Sequence, residues 1–289
     1  MRASRLLTPV VLSMLFHVHA DAQRGPGGPL SDAVRLDLDG KTAEARAIIQ
    51  RVIDTASDPA AKANAWRTMA MSYAFDRDCA NTLKYERMVI DYWRTREQAE
   101  PQNAFYQQGE MANEGARVCI DAGDLDAAEK AYREGYALGI KEPAPKTHPT
   151  SLWDYRLAHA LGRLAARRGD AAEARRQIDA ARRALDSDSA MAAQQERFFP
   201  YLTGYVALYT NDLPTAQREL ERALAMRGNE RDPFMTALLA MTYEKQGRAA
   251  EANALYQKAF DLSRAHNPPS AYARPLARAR LGATLKVTP

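Results

Sequence analysis

The chain has 289 residues, 26% of them charged, and a formal net charge of +4 at pH 7. A chain of this length would ordinarily fold as about two globular domains. Nucleic-acid-binding proteins carry a concentrated basic stripe, and a charge this mild argues against that class. The composition therefore excludes nucleic acid as an expected partner and leaves the domain organisation to the pattern of the sequence.

The first 22 residues predict a secretory signal peptide. Arg2 and Arg5 provide the positive start, residues 6–16 form a short apolar core, and residues 20–22 form a small-x-small cleavage site. The mature chain is therefore expected to begin near Gln23. The alternative is an uncleaved anchor, although the apolar run is shorter than the roughly 20 residues that span a membrane. No other segment is a candidate span, so no stable membrane insertion is expected after cleavage.

Residues 23–29 are rich in glycine and proline, which predicts a flexible linker before a single folded unit over residues 30–289. Within that unit one small pattern recurs: a breaker, an alanine five residues later, and then a hydrophobic helical stretch. Its five copies are GKTAEA at 40–45, GDLDAA at 123–128, GDAAEA at 169–174, NDLPTA at 211–216 and GRAAEA at 247–252. A repeated turn-and-helix unit predicts a helical solenoid, in which each hairpin buries its face against its neighbours.

The last copy of the pattern, in residues 233–260, is the clearest. Ala240 and Tyr243 lie on one face of a first helix, and Gly247 ends that helix because glycine adopts a positive φ without steric cost. Ala252 then marks the packed face of a second helix. The small residues let the two backbones approach closely, and large residues beside them fill the gaps.

This arrangement closely resembles the tetratricopeptide repeat (TPR), which combines a small residue, an aromatic residue, a glycine turn and an alanine within about 34 residues. The resemblance covers residues 30–264 and implies an all-α fold, a right-handed α-solenoid of about six TPR-like helical hairpins. A C-terminal capping helix over residues 270–285 is expected to cover the open end of the stack with Tyr272, Leu276 and Leu281. The alternative is an unrelated bundle of alanine-rich helices.

The two cysteines of the chain are expected to form a disulfide. In the hairpin geometry that the resemblance implies, Cys79 at the start of one helix meets Cys119 near the end of the next, antiparallel helix. Export to an oxidising compartment would permit the bond. The alternative is two buried thiols, because Cys119 occupies a core position of its repeat.

No catalytic motif stands out in the sequence. Outside the leader there are three histidines, His148, His159 and His266, and none belongs to an H-E-x-x-H motif. Neither cysteine has a partner at C-x-x-C spacing, and phosphate-binding glycine loops and a G-x-S-x-G nucleophile elbow are also absent. The sequence therefore predicts a protein that is not an enzyme and that uses no metal or cofactor.

The resemblance implies a concave groove. Basic and aromatic residues are predicted to line it, on helix faces that do not pack into the hydrophobic core. These residues are Arg67, Asn113, Arg117, Arg156, His159, Arg163, Arg167, Tyr201 and Tyr205. Arginine forks grip carboxylates with paired hydrogen bonds and tyrosines supply rigid contact area, so the set suits an extended anionic ligand. We expect Arg163 and Tyr205 to face solvent in the free protein. The alternative is that the arginines form a solvated face and that the tyrosines pack against a neighbouring repeat.

These features together predict an exported, non-enzymatic adaptor that holds a protein or peptide partner in the concave groove, with the bacterial periplasm as the expected compartment. The alternative is a polysaccharide-binding accessory protein of an envelope or secretion system, because a tyrosine-lined trough also suits an anionic polysaccharide. A third interpretation is an enzyme with an unrecognised site.

Overall fold

The computed structural model describes residues 28–287, and the predicted signal peptide and residues 23–27 of the predicted linker lie outside the described residues. The described part of the chain contains fourteen α-helices, two short 3₁₀-helices and no β-strand. None of these helices is both long and apolar enough to cross a membrane. The α-helices are α1 (Pro29–Asp39), α2 (Thr42–Thr55), α3 (Pro59–Phe75), α4 (Cys79–Arg94), α5 (Pro101–Ala122), α6 (Leu125–Gly139), α7 (Thr150–Arg167), α8 (Ala171–Asp186), α9 (Ser189–Gln195), α10 (Phe199–Tyr209), α11 (Leu213–Ala225), α12 (Pro233–Lys245), α13 (Ala249–Leu262) and α14 (Pro268–Leu281).

Consecutive helices pack as six helical hairpins that follow one another along the chain. The pairs are α1 with α2, α3 with α4, α5 with α6, α7 with α8, α10 with α11, and α12 with α13. The short helix α9 and a 3₁₀-helix at Glu196–Phe198 are inserted between the fourth and fifth hairpins. Each hairpin contacts the next, so the predicted all-α solenoid of about six hairpins is confirmed.

The recurring turn has a physical explanation in the hairpin of α5 and α6. Gly123 ends α5 at a φ of 93°, a left-handed conformation that disfavours residues with a Cβ. Asp124 then caps α6, because its side chain accepts a hydrogen bond from the amide of Ala127 at 3.0 Å. Ala128, the alanine of the pattern, is fully buried within a hydrophobic cluster. In the fifth hairpin Asn211 takes the place of the glycine at a φ of 64°, which asparagine tolerates better than most residues.

A tryptophan joins the third hairpin to the fourth. Trp153 of α7 is fully buried, and its ring lies against α5 and α6. An added Cβ would come within 2.4 Å of the ring at Gly109 and within 2.1 Å at Gly139, so the ring has room only because both positions are glycine. Large side chains inserted at glycines therefore hold the stack together, in addition to the alanine contacts that the repeat predicts.

The predicted disulfide is present. Cys79, the first residue of α4, is bonded to Cys119 of α5, so the bond links the second hairpin to the third. Both cysteines are buried in a hydrophobic cluster that also includes Ile120 and Leu164. The sequence contains no further cysteine, and the alternative of two free thiols is wrong.

The final helix covers the last hairpin as the sequence predicts. It begins and ends slightly earlier than the predicted range of 270–285. Tyr272 and Leu281 are each 7% exposed. Leu276 packs against the cluster that contains Phe260 of α13, so the three predicted capping residues all contribute to covering the stack.

The same helix also closes the solenoid on itself, which the sequence does not predict. Nε2 of His266, just before α14, lies 2.8 Å from a carboxylate oxygen of Asp37 in α1, and the two side chains are 3% and 0% exposed. Arg274 and Arg278 of α14 both donate hydrogen bonds to the backbone carbonyl of Leu38. The helix contacts α3 and α5 as well. The last element therefore meets the first three hairpins, and the stack forms a closed ring.

Candidate functional site

The inner face of the ring carries a cluster of arginine and tyrosine side chains. Each of three helices contributes residues four positions apart, which places them on one face of that helix: two on α5, two on α7 and three on α10. A residue from the turn between α3 and α4 and one from α14 complete the set. We call this set the arginine–tyrosine cluster, and its members are Arg77, Arg117, Asp121, Arg163, Arg167, Tyr201, Tyr205, Tyr209 and Tyr272.

Arg163 is the most deeply placed charge of the cluster, with only 5% of the residue exposed. Its two terminal nitrogens donate to the hydroxyls of Tyr201 at 3.0 Å and Tyr132 at 2.9 Å. Its Nε donates to the backbone carbonyl of His159 at 3.4 Å. No carboxylate within residues 28–287 forms an ion pair with it. The hydrogen bonds of this buried guanidinium group therefore go to neutral acceptors, and its charge is matched only in part, by the nearby carboxyl group of Asp121.

The other three arginines of the cluster also lack a carboxylate partner among the described residues. Arg167 donates to the hydroxyl of Tyr205 at 3.4 Å, and its guanidinium carbon lies 4.9 Å from the ring centre of Tyr209. The guanidinium carbon of Arg77 lies 5.6 Å from the ring centre of Tyr272. Arg117 is exposed, and its side chain makes no hydrogen bond to another described residue. The cluster therefore has a surplus of positive charge and of hydrogen-bond donors.

The carboxyl group of Asp121 lies among these charges. Burial raises the pKa of Asp121 to about 7, although the four arginines of the cluster, led by Arg163, act in the opposite direction. Burial likewise raises the pKa values of Tyr201, Tyr205 and Tyr272, so these side chains are neutral hydroxyl groups at pH 7. The cluster therefore contains four fixed positive charges and a single carboxyl group that changes its charge near neutral pH.

The raised pKa of Asp121 leads to an expected pH dependence of stability. The folded protein holds this proton more tightly than the unfolded chain, in which aspartate titrates near pH 3.9. The stabilisation that the protonated form contributes is therefore complete below about pH 3.9 and is lost as the pH rises to about 7. We expect the free energy of unfolding to fall more steeply between pH 5 and pH 8 in the native protein than in Asp121→Asn, as measured by urea unfolding. Parallel pH profiles for the two proteins would contradict this expectation.

The structure brings together five of the nine residues that the sequence predicts for the groove, but not all of them are accessible. The five are Arg117, Arg163, Arg167, Tyr201 and Tyr205. The expectation that Arg163 and Tyr205 face solvent is wrong, because they are 5% and 1% exposed. The reason is that α10 packs directly against α7, so that the tyrosines of one helix surround the arginines of the other.

The remaining four predicted residues lie outside the cluster. Arg67 donates to Glu114 at 2.8 Å and Arg156 donates to Glu110 at 2.6 Å, so each of these charges has a carboxylate from a neighbouring helix. Asn113 lies against Gly135 at the contact of α5 with α6. His159 is 8% exposed, and burial, followed by the Arg163 charge, lowers its pKa well below the ordinary value. These four residues therefore make their contacts within the protein and do not form part of the candidate ligand site.

Four members of the cluster are not among the nine residues that the sequence predicts for the groove. Tyr209 continues the four-residue spacing of the other α10 tyrosines. Asp121 lies four residues after Arg117 on α5, so an argument from the shared helix face could have found it. Arg77 occupies a turn, where no helical spacing applies. Tyr272, which the sequence predicts only as a capping residue, reaches the cluster because α14 closes the ring.

A cavity of about 300 Å³ lies where α14 meets the first two hairpins. Its polar lining is already paired, because Asp76 accepts hydrogen bonds from Thr42 and Arg46 while Arg278 donates to the carbonyl of Leu38. These groups stabilise the junction of the two ends of the solenoid. The arginine–tyrosine cluster, with its unpaired charge, is therefore the better candidate for a ligand site.

The fold and the cluster define an all-α solenoid whose inner face carries positive charge without matching carboxylates. No protein-family model matches this chain, and no curated protein matches it either. Within residues 28–287, no group of three or more His, Cys, Asp or Glu side chains could hold a metal ion. The functional assignment therefore depends on the chemistry of the cluster.

Proposed function

We propose that this protein is an exported, non-enzymatic binding protein of the TPR-like class that holds a protein or peptide partner on the inner face of its ring. The observation that carries the proposal is the unmatched positive charge of the arginine–tyrosine cluster. Arg117 is exposed and Arg163 is buried, yet neither forms an ion pair with a carboxylate of the described residues. An acidic group of a partner would supply the counter-charge.

The donors of the cluster fit that role. A guanidinium group presents parallel N–H donors that match the two oxygens of a carboxylate. Arg117 has its five donors available for a ligand, because no described residue accepts a hydrogen bond from it. Tyr201 and Tyr205 fix Arg163 and Arg167 through their hydroxyls, so the charges are already oriented before a partner arrives.

Closure of the ring limits the shape of the partner. The cluster lies on α5, α7 and α10, and α14, which packs against α5, contributes Tyr272 to it. A narrow segment, such as an extended stretch or a chain terminus, fits this arrangement better than the surface of a folded domain. We therefore propose that the partner presents an acidic segment to the cluster.

Two observations support export. The sequence of residues 1–22 has the features of a secretory signal peptide, although it lies outside the described residues. Cys79 and Cys119 form a disulfide bond, and disulfide bonds persist in oxidising compartments. The bacterial periplasm is the compartment in which we place the protein.

We expect Arg117→Ala to weaken binding of the partner by about 10- to 100-fold, because a charge-assisted hydrogen bond contributes about 1.5–3 kcal/mol. The thermal stability should change little, since the Arg117 side chain is exposed and makes no hydrogen bond to a described residue. The measurement has two stages. Exported proteins are first captured on the immobilised native protein and identified, and the dissociation constant of each purified candidate is then determined for the native and variant proteins.

The matched control is Arg175→Ala, which removes an exposed arginine from α8, outside the cluster. This variant should bind the partner as tightly as the native protein does. Equal affinity of the native protein and Arg117→Ala for every captured partner would refute the proposed role of the inner face. Glycan arrays run in parallel test the polysaccharide alternative, which the burial of the Tyr205 ring disfavours because little of that ring is left for a sugar to stack on.

A further inference from the structure

We propose that Arg77, Arg117, Arg163 and Arg167 form a binding site for a compact multivalent oxyanion, meaning a phosphate group or a set of adjacent carboxylates, beside Asp121. This inference rests on the proposed function and deepens it, because it names the chemical group that the partner presents to the inner face. Four side chains from three segments of the chain converge on this site.

The site stands out when the cluster is compared with other arginines of the protein. Many of these pair with a carboxylate from a neighbouring helix, as in Arg46–Asp76, Arg67–Glu114, Arg87–Glu134, Arg156–Glu110, Arg168–Glu129 and Arg182–Glu196. The four arginines of the cluster have no such partner in residues 28–287. All four lie near the carboxyl group of Asp121, and Arg117 also lies near that of Asp232. Several other arginines of the described residues also lack a carboxylate partner, among them Arg51, Arg175 and Arg183, but these three are exposed. The cluster differs because it gathers four such arginines, one of them buried, around Asp121.

The backbone at Arg77 supports a role for its side chain. Arg77 has a φ of 57°, in the left-handed region that favours glycine. The equivalent turn position is glycine or asparagine in the other five hairpins, namely Gly40, Gly123, Gly169, Asn211 and Gly247. An arginine at this position is unfavourable for the backbone, and its guanidinium group is directed toward the ring of Tyr272 within the cluster. The turn itself does not require an arginine, so the side chain has another use.

The number of charges and the available donors define the ligand. Arg163 uses three of its five N–H donors on Tyr132, Tyr201 and the carbonyl of His159, which leaves two. The side chains of Arg77 and Arg117 donate to no described residue. A single carboxylate would neutralise one of four charges, whereas a multivalent oxyanion neutralises several and accepts many hydrogen bonds at once. A compact ligand is favoured because Tyr272 of α14 also lies beside the site, with its ring centre 5.6 Å from the guanidinium carbon of Arg77.

The test uses the full mature chain and three probes: inorganic sulfate, tricarballylate and acetate. Titration calorimetry at pH 8 should show binding of sulfate or tricarballylate and about 10-fold or more weaker binding of acetate. Sulfate stands for a phosphate-type group and does not titrate near neutral pH, whereas tricarballylate carries three adjacent carboxylates. The tighter of the two probes identifies which kind of oxyanion the partner presents.

Arg77→Gly is the informative variant because it removes the guanidinium group and also the strain of a positive φ at a residue with a Cβ. It should keep or raise the melting temperature while it weakens binding of the tighter probe by about 10-fold or more. Asp121→Asn should have the opposite effect at pH 8 and strengthen binding severalfold, since it removes the carboxylate that competes with the anion. Arg175→Ala, on α8, should bind the probe as the native protein does.

The outcomes separate this inference from the proposed function. If neither sulfate nor tricarballylate binds, or if Arg77→Gly binds the tighter probe as well as the native protein does, the oxyanion site is refuted. Capture of an exported partner that depends on Arg117 would leave the proposed function intact in that case. Conversely, if a probe binds as expected but no exported partner is found, the oxyanion site stands and the protein binds a free anion rather than a partner protein.

Discussion

Reduction of the disulfide between Cys79 and Cys119 is expected to lower the free energy of unfolding by about 4 kcal/mol. The two residues are separated by 40 positions, and a cross-link over a loop of that size removes this much chain entropy from the unfolded state. The bond also connects the second hairpin to the third, where a solenoid otherwise relies on contacts between neighbours. Urea unfolding of the oxidised and reduced protein measures the difference.

The control for this experiment is the double variant Cys79→Ala, Cys119→Ala, whose unfolding midpoint should not respond to a reductant. Thiol labelling of the native chain, unfolded without reduction, should detect no free thiol. Two reactive thiols, or equal stability of the oxidised and reduced protein, would show that the bond is absent or does not stabilise the fold.

The variant Asp37→Ala is expected to destabilise the protein by about 2–6 kcal/mol, because a buried polar group that loses its hydrogen-bond partner costs about 1–3 kcal/mol and two such groups lose theirs. Asp37 is 1% exposed and accepts a hydrogen bond from the hydroxyl of Ser72 at 2.8 Å, in addition to its contact with His266. Both of these partners would lose their acceptor. Because the contact joins α1 to the segment before α14, the ring should also open there.

Two measurements check this expectation. Urea unfolding gives the loss of stability, and hydrogen exchange locates it, with faster exchange expected in α1 and α14 than in α6 and α8. Asp179→Ala is the matched control, since Asp179 is an exposed aspartate of α8, away from the junction, and its removal should change the stability little. Uniform acceleration of exchange over all hairpins would mean that closure does not stabilise the ends in particular.

The hairpins and the disulfide could be predicted from the sequence because each depends on local information. Gly123, Asp124 and Ala128 form a turn, a cap and a close helix contact within six residues, and the pattern recurs. The proximity of Cys79 and Cys119 follows from the order of neighbouring helices in the repeat. Both features depend on contacts within a hairpin or between adjacent hairpins.

The closed ring and the burial of the inner face could not be predicted in this way. Asp37 and His266 are 229 residues apart, and no repeat pattern indicates that they meet. Their contact depends on the small rotation between successive hairpins, summed over the whole stack. The inward positions of Arg163 and Tyr205 could be read from helical spacing, but whether such positions are open or filled depends on how closely α7 and α10 approach.

The contact between α1 and α14 has a consequence for how this protein could change in evolution. Open repeat proteins gain and lose units by duplication and deletion, because each unit touches only its neighbours. Here one more hairpin, or one fewer, would move His266 away from Asp37 and break the buried contact that closes the ring. The number of repeats is therefore fixed by the junction, and new specificities are expected to arise by substitution on the inner helices rather than by changes in length.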